Sequence, residues 1–200
     1  MKNVVCLVLL LLIQLSVKAQ TEKGRWNAGV SIGSFSYQKY DYGNTFSGSI
    51  NPTVGYFVAS NLLVGTGIPV SHTSQNYSAP GYIQNGKTTT IGVSPFARYY
   101  VGSSKLKPYI GLAYTFSHNN SHSENSTNTP SETNSNSNAT TLTPSIGVAY
   151  FLNRNISLDA QLGYNWYSSK TTFNSVTGST PTFRYTNVTL GIGFNIFFGG

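Results

Sequence analysis

The sequence predicts an all-β fold: an eight-stranded antiparallel up-and-down transmembrane β-barrel. Three observations carry that reading: a phrase that recurs along the chain, apolar–polar alternation within each copy, and connections that alternate between short and long. The phrase reads Ile50-Asn51-Pro52-Thr53-Val54-Gly55-Tyr56, then Val93-Ser94-Pro95-Phe96-Ala97-Arg98-Tyr99. It returns as Leu142-Thr143-Pro144-Ser145-Ile146-Gly147-Val148 and, more worn, as Asn187-Val188-Thr189-Leu190-Gly191-Ile192. A spacing of roughly forty-five residues marks one supersecondary unit used repeatedly. Alternation is the period of a strand. Copies separated by one further strand make a series of hairpins.

The chain opens on a segment that reads as a secretory signal peptide. Lys2 gives a basic start, residues 4–13 are an unbroken apolar run, and Val17-Lys18-Ala19 forms a small-residue cleavage site before Gln20. Such a run is too short to span a bilayer as a helix. The expected organisation is therefore a signal peptide at 1–19 and one barrel domain at 20–200, exported to the cell outer membrane. The single cysteine, Cys6, would leave with the signal, so the mature chain is expected to carry neither thiol nor disulfide.

In chain order, strands are predicted at 24–35, 46–58, 62–72, 89–101, 108–116, 141–151, 156–166 and 183–198. A wall tilted by about 40° needs roughly ten residues to cross the apolar layer, which these segments supply. The short connections are 59–61, 102–107 and 152–155, and the long ones 36–45, 73–88, 117–140 and 167–182. Barrels of this kind keep short turns in the periplasm and long loops outside, and an even strand count leaves both termini in the periplasm. The 117–140 segment is mostly Asn, Ser and Thr, cannot bury a core, and is expected to be a mobile loop.

One face of the strands is apolar: Trp26, Val30 and Ile32 in the first, Ile50, Val54 and Tyr56 in the second, and so on to Val188, Ile192, Phe194 and Phe198 in the last. The opposite face is mostly Gly, Ser, Thr and Asn. A soluble barrel would turn the apolar face inward, and Gly24-Arg25-Trp26 even mimics the opening of a lipocalin. A water-facing wall normally carries Lys and Glu, however, and charged residues make up only 8% of this chain, against about 25% in soluble proteins. The apolar face also ends in aromatics at both rims. Trp26, Tyr56, Tyr99 and Tyr150 lie on the short-turn side, and Phe46, Tyr114, Phe116 and Trp166 on the loop side. Two aromatic girdles around an aliphatic band belong in a bilayer. Pro52, Pro69, Pro95 and Pro144 lie within strands, and their recurrence is expected to mark a bulge or bend.

Val93-Ser94-Pro95-Phe96-Ala97-Arg98-Tyr99-Tyr100, followed after a short turn by Leu106-Lys107-Pro108-Tyr109-Ile110-Gly111, resembles the outer-membrane β-barrel domain family of small porin-like, OmpA-like and OmpX-like bacterial proteins. The resemblance extends over residues 20–200 and implies a barrel without shared catalytic residues. The end, Gly191-Ile192-Gly193-Phe194-Asn195-Ile196-Phe197-Phe198, looks like the aromatic-terminated strand read by the barrel-assembly machinery, here followed by Gly199-Gly200.

No residue set reads as a catalytic or metal centre, and no cofactor is expected. His118 and His122 lie in the Asn/Ser/Thr-rich segment with no cysteine or acidic cluster to complete a metal site. His72-Thr73-Ser74 resembles the His-x-Ser pair of outer-membrane lipid A deacylases, but no acid stands where it could orient the histidine. The basic residues are spread along the chain, which argues against nucleic acid as a partner. Arg98 and Asp159 are predicted as the only charges on the inward face, at matching depth, forming a structural ion pair in a narrow lumen. Phe57, Phe96, Tyr100, Tyr109, Phe151 and Phe197 would narrow that lumen further. Lys39, Lys87, Lys170 and Arg184, near the loop-side rim, are candidate contacts for lipopolysaccharide phosphates. The expected protein is non-enzymatic and monomeric: a sealed anchor that meets outer-membrane lipid and displays polar loops for surface contact or envelope integrity. A lipid A or phospholipid hydrolase and a small pore are the alternatives.

Overall fold

A computed structural model describes residues 20–126, 130–172 and 182–199. The expected signal peptide, 1–19, lies outside the described residues, as do 127–129 and 173–181 of the two predicted loops that contain them. The strands are β1 (Trp26–Tyr40), β2 (Gly43–Ala59), β3 (Leu62–Gly67), β4 (Val70–Ala79), β5 (Tyr82–Tyr100), β6 (Leu106–Ser126), β7 (Ser131–Asn153), β8 (Ile156–Thr172) and β9 (Thr182–Phe198). Every pairing is antiparallel, and β1 closes the ring by pairing with β9 from Trp26–Phe198 to Gly33–Gly191. β3 and β4 are two halves of one crossing. Both pair with β2 and β5, and the register against β2 is the same before the break (Thr53–Gly67) and after it (Ile50–Val70). Eight crossings therefore form a closed antiparallel barrel.

Closure leaves no unpaired strand edge, which is the condition for a sheet in lipid. The alternation then decides what each face meets. Ile32, Ile110, Ile146 and Leu190 point outward and are more than half exposed, whereas Asn27, Phe57 and Ser157 point inward and are fully buried. Apolar outside and polar inside is the membrane arrangement, the reverse of a lipocalin. The rim aromatics stand on the outer face and contact one another: Trp26 against Tyr56 at the short-turn rim, Tyr114 against Phe116 and Tyr164 against Trp166 at the other.

Two sequence expectations are corrected here. Most of three of the predicted long loops is strand, and the fourth, 167–182, contributes 167–172 to β8 and Thr182 to β9. Residues 117–126 and 131–140 continue β6 and β7, and 73–79 and 82–88 continue β4 and β5. Residues 36–40 and 43–45 likewise continue β1 and β2. These segments bury little, but the wall below has already set their register. Each added pair can then contribute cross-strand bonds without closing a new loop. Thr90 Oγ1 donates to Asn119 Oδ1 at 2.7 Å, Asn119 Nδ2 to Ser137 Oγ at 3.0 Å, and the Thr88 and Ser121 hydroxyls meet at 3.0 Å.

The prolines, in turn, do not mark bulges. Pairing lapses beside Pro95 and resumes in the same register, with Val93 facing Phe116 on one side and Phe96 facing Ala113 on the other. The same holds beside Pro144, between Leu142–Trp166 and Ser145–Gly163. Proline removes a ladder donor but adds no residue, so a bond is lost and the register is kept. The bulges lie at Gly33/Ser36, Phe57/Ala59 and Phe151/Asn153. The first one carries Tyr37 round to the outer face opposite Phe46.

Candidate functional site: the lumen and its closure at the short-turn end

The inward faces of the strands build a polar well over a solid floor. The well is a cavity of about 280 Å³ whose lining includes Ser31, Asn51, Ser94, Arg98, Gln161 and Asn195. A second polar space lies toward the long-hairpin end, lined by residues such as Thr115, Asn119 and Tyr167. Beneath the well, Phe57, Leu63, Tyr100, Tyr109, Ala149, Phe151 and Phe197 form one buried cluster with Phe96 packed on it. The rings interlock: Phe151 to Phe197 at 5.1 Å, Tyr100 to Tyr109 at 5.2 Å, Phe57 to Tyr100 at 5.9 Å. Glycine makes room for two of them. A Cβ on Gly147 would stand 2.4 Å from the Tyr109 ring, and one on Gly65 would stand 2.7 Å from the Phe96 ring. In the third copy of the phrase, Gly147 thus stands where the Tyr109 ring of the paired strand must pass.

Arg98 and Asp159 meet on top of this floor. Arg98 Nη1 lies 3.5 Å from Asp159 Oδ2, and both side chains are largely buried. Arg98 Nη2 donates to Gln161 Oε1 at 3.2 Å, which also accepts from the Tyr109 hydroxyl at 3.2 Å. The guanidinium sits over the Phe96 and Tyr109 rings, 5.1 and 5.2 Å from their centroids. Ser157 Oγ donates to Asp159 Oδ1 at 2.7 Å. Each charge therefore has a partner as well as neighbours that replace water, which is the condition for keeping ions in a dry interior.

Arg98 and Asp159 are not the only inward charges, contrary to the sequence reading. Arg25 and Lys107 also point inward and are buried, at the underside of the floor. Arg25 Nη1 donates to the Gln20 carbonyl at 3.0 Å and to the Arg154 carbonyl at 2.8 Å. Its Nη2 donates to Asn155 Oδ1 at 2.8 Å and to the Phe197 carbonyl at 3.1 Å, and its Nε to the Gly199 carbonyl at 3.2 Å. Lys107 Nζ donates to Thr21 Oγ1 at 3.0 Å and to the Gly102 carbonyl at 3.2 Å. Asn61, held at φ 67° in the β2–β3 turn, donates its backbone N–H to the Thr21 carbonyl at 2.7 Å. Asn tolerates that left-handed conformation and offers a side-chain amide as well. Residues 20–25 therefore form a strap under the barrel, tied to all three short turns and to the last strand. Parity could have revealed both cations, because Lys107 precedes inward Tyr109 by two residues and Arg25 precedes inward Asn27 by two.

The remaining candidates lie apart from the lumen. His72 Nδ1 lies 3.1 Å from the Thr89 hydroxyl. His118 meets Asn138, and His122 meets Asn134 and Glu124. They stand on a strand rather than in a loop, and no group of three or more metal-binding side chains occurs among the described residues. Lys39, Lys87, Lys170 and Arg184 are exposed near the long-hairpin end. Strand parity puts all four on the outward side, as in the pairs Asn44–Lys39 and Ser168–Arg184.

A closed antiparallel ring with an apolar exterior and a packed polar interior is the form of an outer-membrane barrel. The chain belongs to the outer membrane protein beta-barrel domain family, whose pattern it matches over residues 5–195. Its fold is similar to the crystal structure of the outer membrane protein OprG from Pseudomonas aeruginosa, with 14% identity, 92% of this chain and 100% of that one covered, and a TM-score of 0.53. It is also similar to the solid-state NMR structure of the outer membrane protein AlkL in DMPC lipid bilayers, with 13% identity, 92% and 95% covered, and a TM-score of 0.52. At these identities the likeness is one of fold alone. No curated protein matches the sequence.

Proposed function

We propose that this protein is a sealed outer-membrane anchor that holds polar β-hairpins at the cell surface, with its short-turn end in the periplasm. The observation that carries this reading is the floor of the lumen, where Phe57, Tyr100, Phe151 and Phe197 are fully buried across the full width of the barrel. A lumen filled by side chains at one level offers no continuous water path, as expected for a ring of eight crossings. Above the outer girdle, β6 and β7 run about ten residues past Phe116, roughly 30 Å measured along the strands. The outward side of this region carries Lys39, Lys87, Lys170 and Arg184, at the level where lipopolysaccharide phosphates would lie. Charge-assisted bonds from such side chains to phosphate are strong enough to position a barrel among these lipids. The lipid-hydrolase reading has less support, since the partner of His72 is a hydroxyl rather than an acid.

Conductance tests the proposal. Purified protein in planar bilayers should show no unitary conductance, and Phe57→Ala combined with Phe197→Ala should open measurable steps. Steady single-channel current through the unaltered protein would overturn the sealed-anchor reading in favour of the small pore. Changed lipid A mass in a strain lacking the gene would favour the hydrolase instead. Replacing Lys39, Lys87, Lys170 and Arg184 by Gln should reduce binding to lipopolysaccharide vesicles and leave binding to dephosphorylated lipopolysaccharide unchanged.

A further inference from the structure

Gln20 presents a problem that the fold leaves open. The residue is 1% exposed, and neither the amide Nε2 nor the Oε1 has a hydrogen-bond partner among the described residues. Its carbonyl is clasped by Arg25, and the adjacent Thr21 hydroxyl is held by Lys107. A buried primary amide without partners is unfavourable, because its two N–H donors have lost water and gained nothing. Cleavage after Ala19 would make matters worse. It would place a protonated α-amine on the same residue, beside two buried cations, while the neighbouring acid, Glu22, is exposed.

We propose that Gln20 is a modification site: the N-terminal residue of the mature chain, cyclised to pyroglutamate before the barrel closes over it. The inference rests on cleavage between Ala19 and Gln20. The α-amino nitrogen, in its neutral form, bonds to the side-chain Cδ, the Cδ–Nε2 bond breaks, and the amide nitrogen leaves as ammonia. No electrons are exchanged and no co-reactant is consumed. The product is a neutral five-membered lactam that keeps Oε1 and a single N–H. The ammonium donors and both amide donors are gone, and only one lactam N–H and the Oε1 acceptor remain, so the pocket has fewer polar groups and no added charge to satisfy. The reaction belongs to the exported, unfolded chain, since the folded strap buries Gln20 against Arg25. A neutral first residue then lets the strap sit beneath the floor and join the three short turns to the last strand.

Intact mass and N-terminal peptide sequencing of the barrel extracted from outer membranes test this directly. The expected first peptide begins at Gln20, is one ammonia lighter than the unmodified peptide, and resists stepwise amino-terminal degradation. A free amine on Gln20 in the assembled barrel would overturn the proposal. A first residue other than Gln20 would also overturn it, and would show that the cleavage premise, not the pocket chemistry, had failed. Gln20→Asn keeps a carboxamide but would need a strained four-membered ring to cyclise. This variant should retain a free amine, and its folded band should unfold at a lower temperature on heat-modifiability gels. Equal heat resistance in the two proteins would remove the link between the lactam and the strap.

Discussion

The two ends of this barrel solve the same problem, satisfying backbone and side-chain groups inside a ring of strands, with opposite chemistries. At the short-turn end the interior is packed and aromatic, and the inward charges among the described residues are tied to named partners: Arg98 to Asp159 and Gln161, Arg25 to the turns and the last strand, Lys107 to the strap. At the long-hairpin end the interior is a ladder of hydroxyls and amides, with neutral contacts such as Thr90–Asn119 and Asn119–Ser137. Truncating a group in the first region leaves a cavity or an unpaired ion. Truncating one in the second exchanges a hydrogen bond for water. Stability should therefore be concentrated at one end, leaving the other free to vary.

The largest expected effect comes from splitting the lumen pair. Asp159→Ala should lower the unfolding free energy by about 3–5 kcal/mol, because Arg98 is then a buried charge without its counter-ion. Removing both partners, as Arg98→Met with Asp159→Ala, should cost less than the single change. Urea titration of the refolded barrel measures both, and a double variant weaker than Asp159→Ala would break the argument. Next comes overpacking of the floor. Gly65→Ala would set a Cβ 2.3 Å from the Val54 carbonyl oxygen and 2.7 Å from the Phe96 ring, and should destabilise by about 1–3 kcal/mol. The same change at Gly86, where a Cβ meets nothing within 4 Å, should be close to neutral.

A smaller effect is expected at the hairpin end. Replacing residues 119–138 by a two-residue turn should leave the barrel folded, with its unfolding free energy within about 0.5 kcal/mol of the original. Loss of the heat-modifiable folded form would show that the ladder contributes to the wall and would erase the contrast between the ends. The smallest effect concerns His122, which stands beyond the outer girdle on β6. The Glu124 carboxylate 2.9 Å from its Nε2, followed by Asn134, raises the imidazole above its ordinary value. A raised folded value means that the contribution is fully present below the unfolded histidine range and fades as pH climbs through the folded one. Amide protection in the 117–126 segment should weaken slightly with rising pH, and Glu124→Gln should reduce that dependence. Protection that is flat with pH in the unaltered protein would remove His122 from the account.

Strand count, alternation, the identity of the lipid-facing side and the aromatic floor were all legible in the residues. Each depends on side-chain character at a period of two, and closure in lipid then leaves one solution. Even the depth match of Arg98 and Asp159 followed from counting along two strands. Strand ends were not legible, because Asn, Ser and Thr favour turns in isolation, and only a wall already in register makes them continue as ladder. Nor was the meaning of the prolines, since a lost donor and an added residue look alike until both partners of the pair are known. The strap is the clearest case of what tertiary structure alone decided. Gln20, Thr21 and Arg25 are adjacent in sequence, but the Gly102 and Asn155 turns and the Phe197 carbonyl that complete their network come from three distant places. Those groups converge only because the ring closes, and closure is a property of all the strands together.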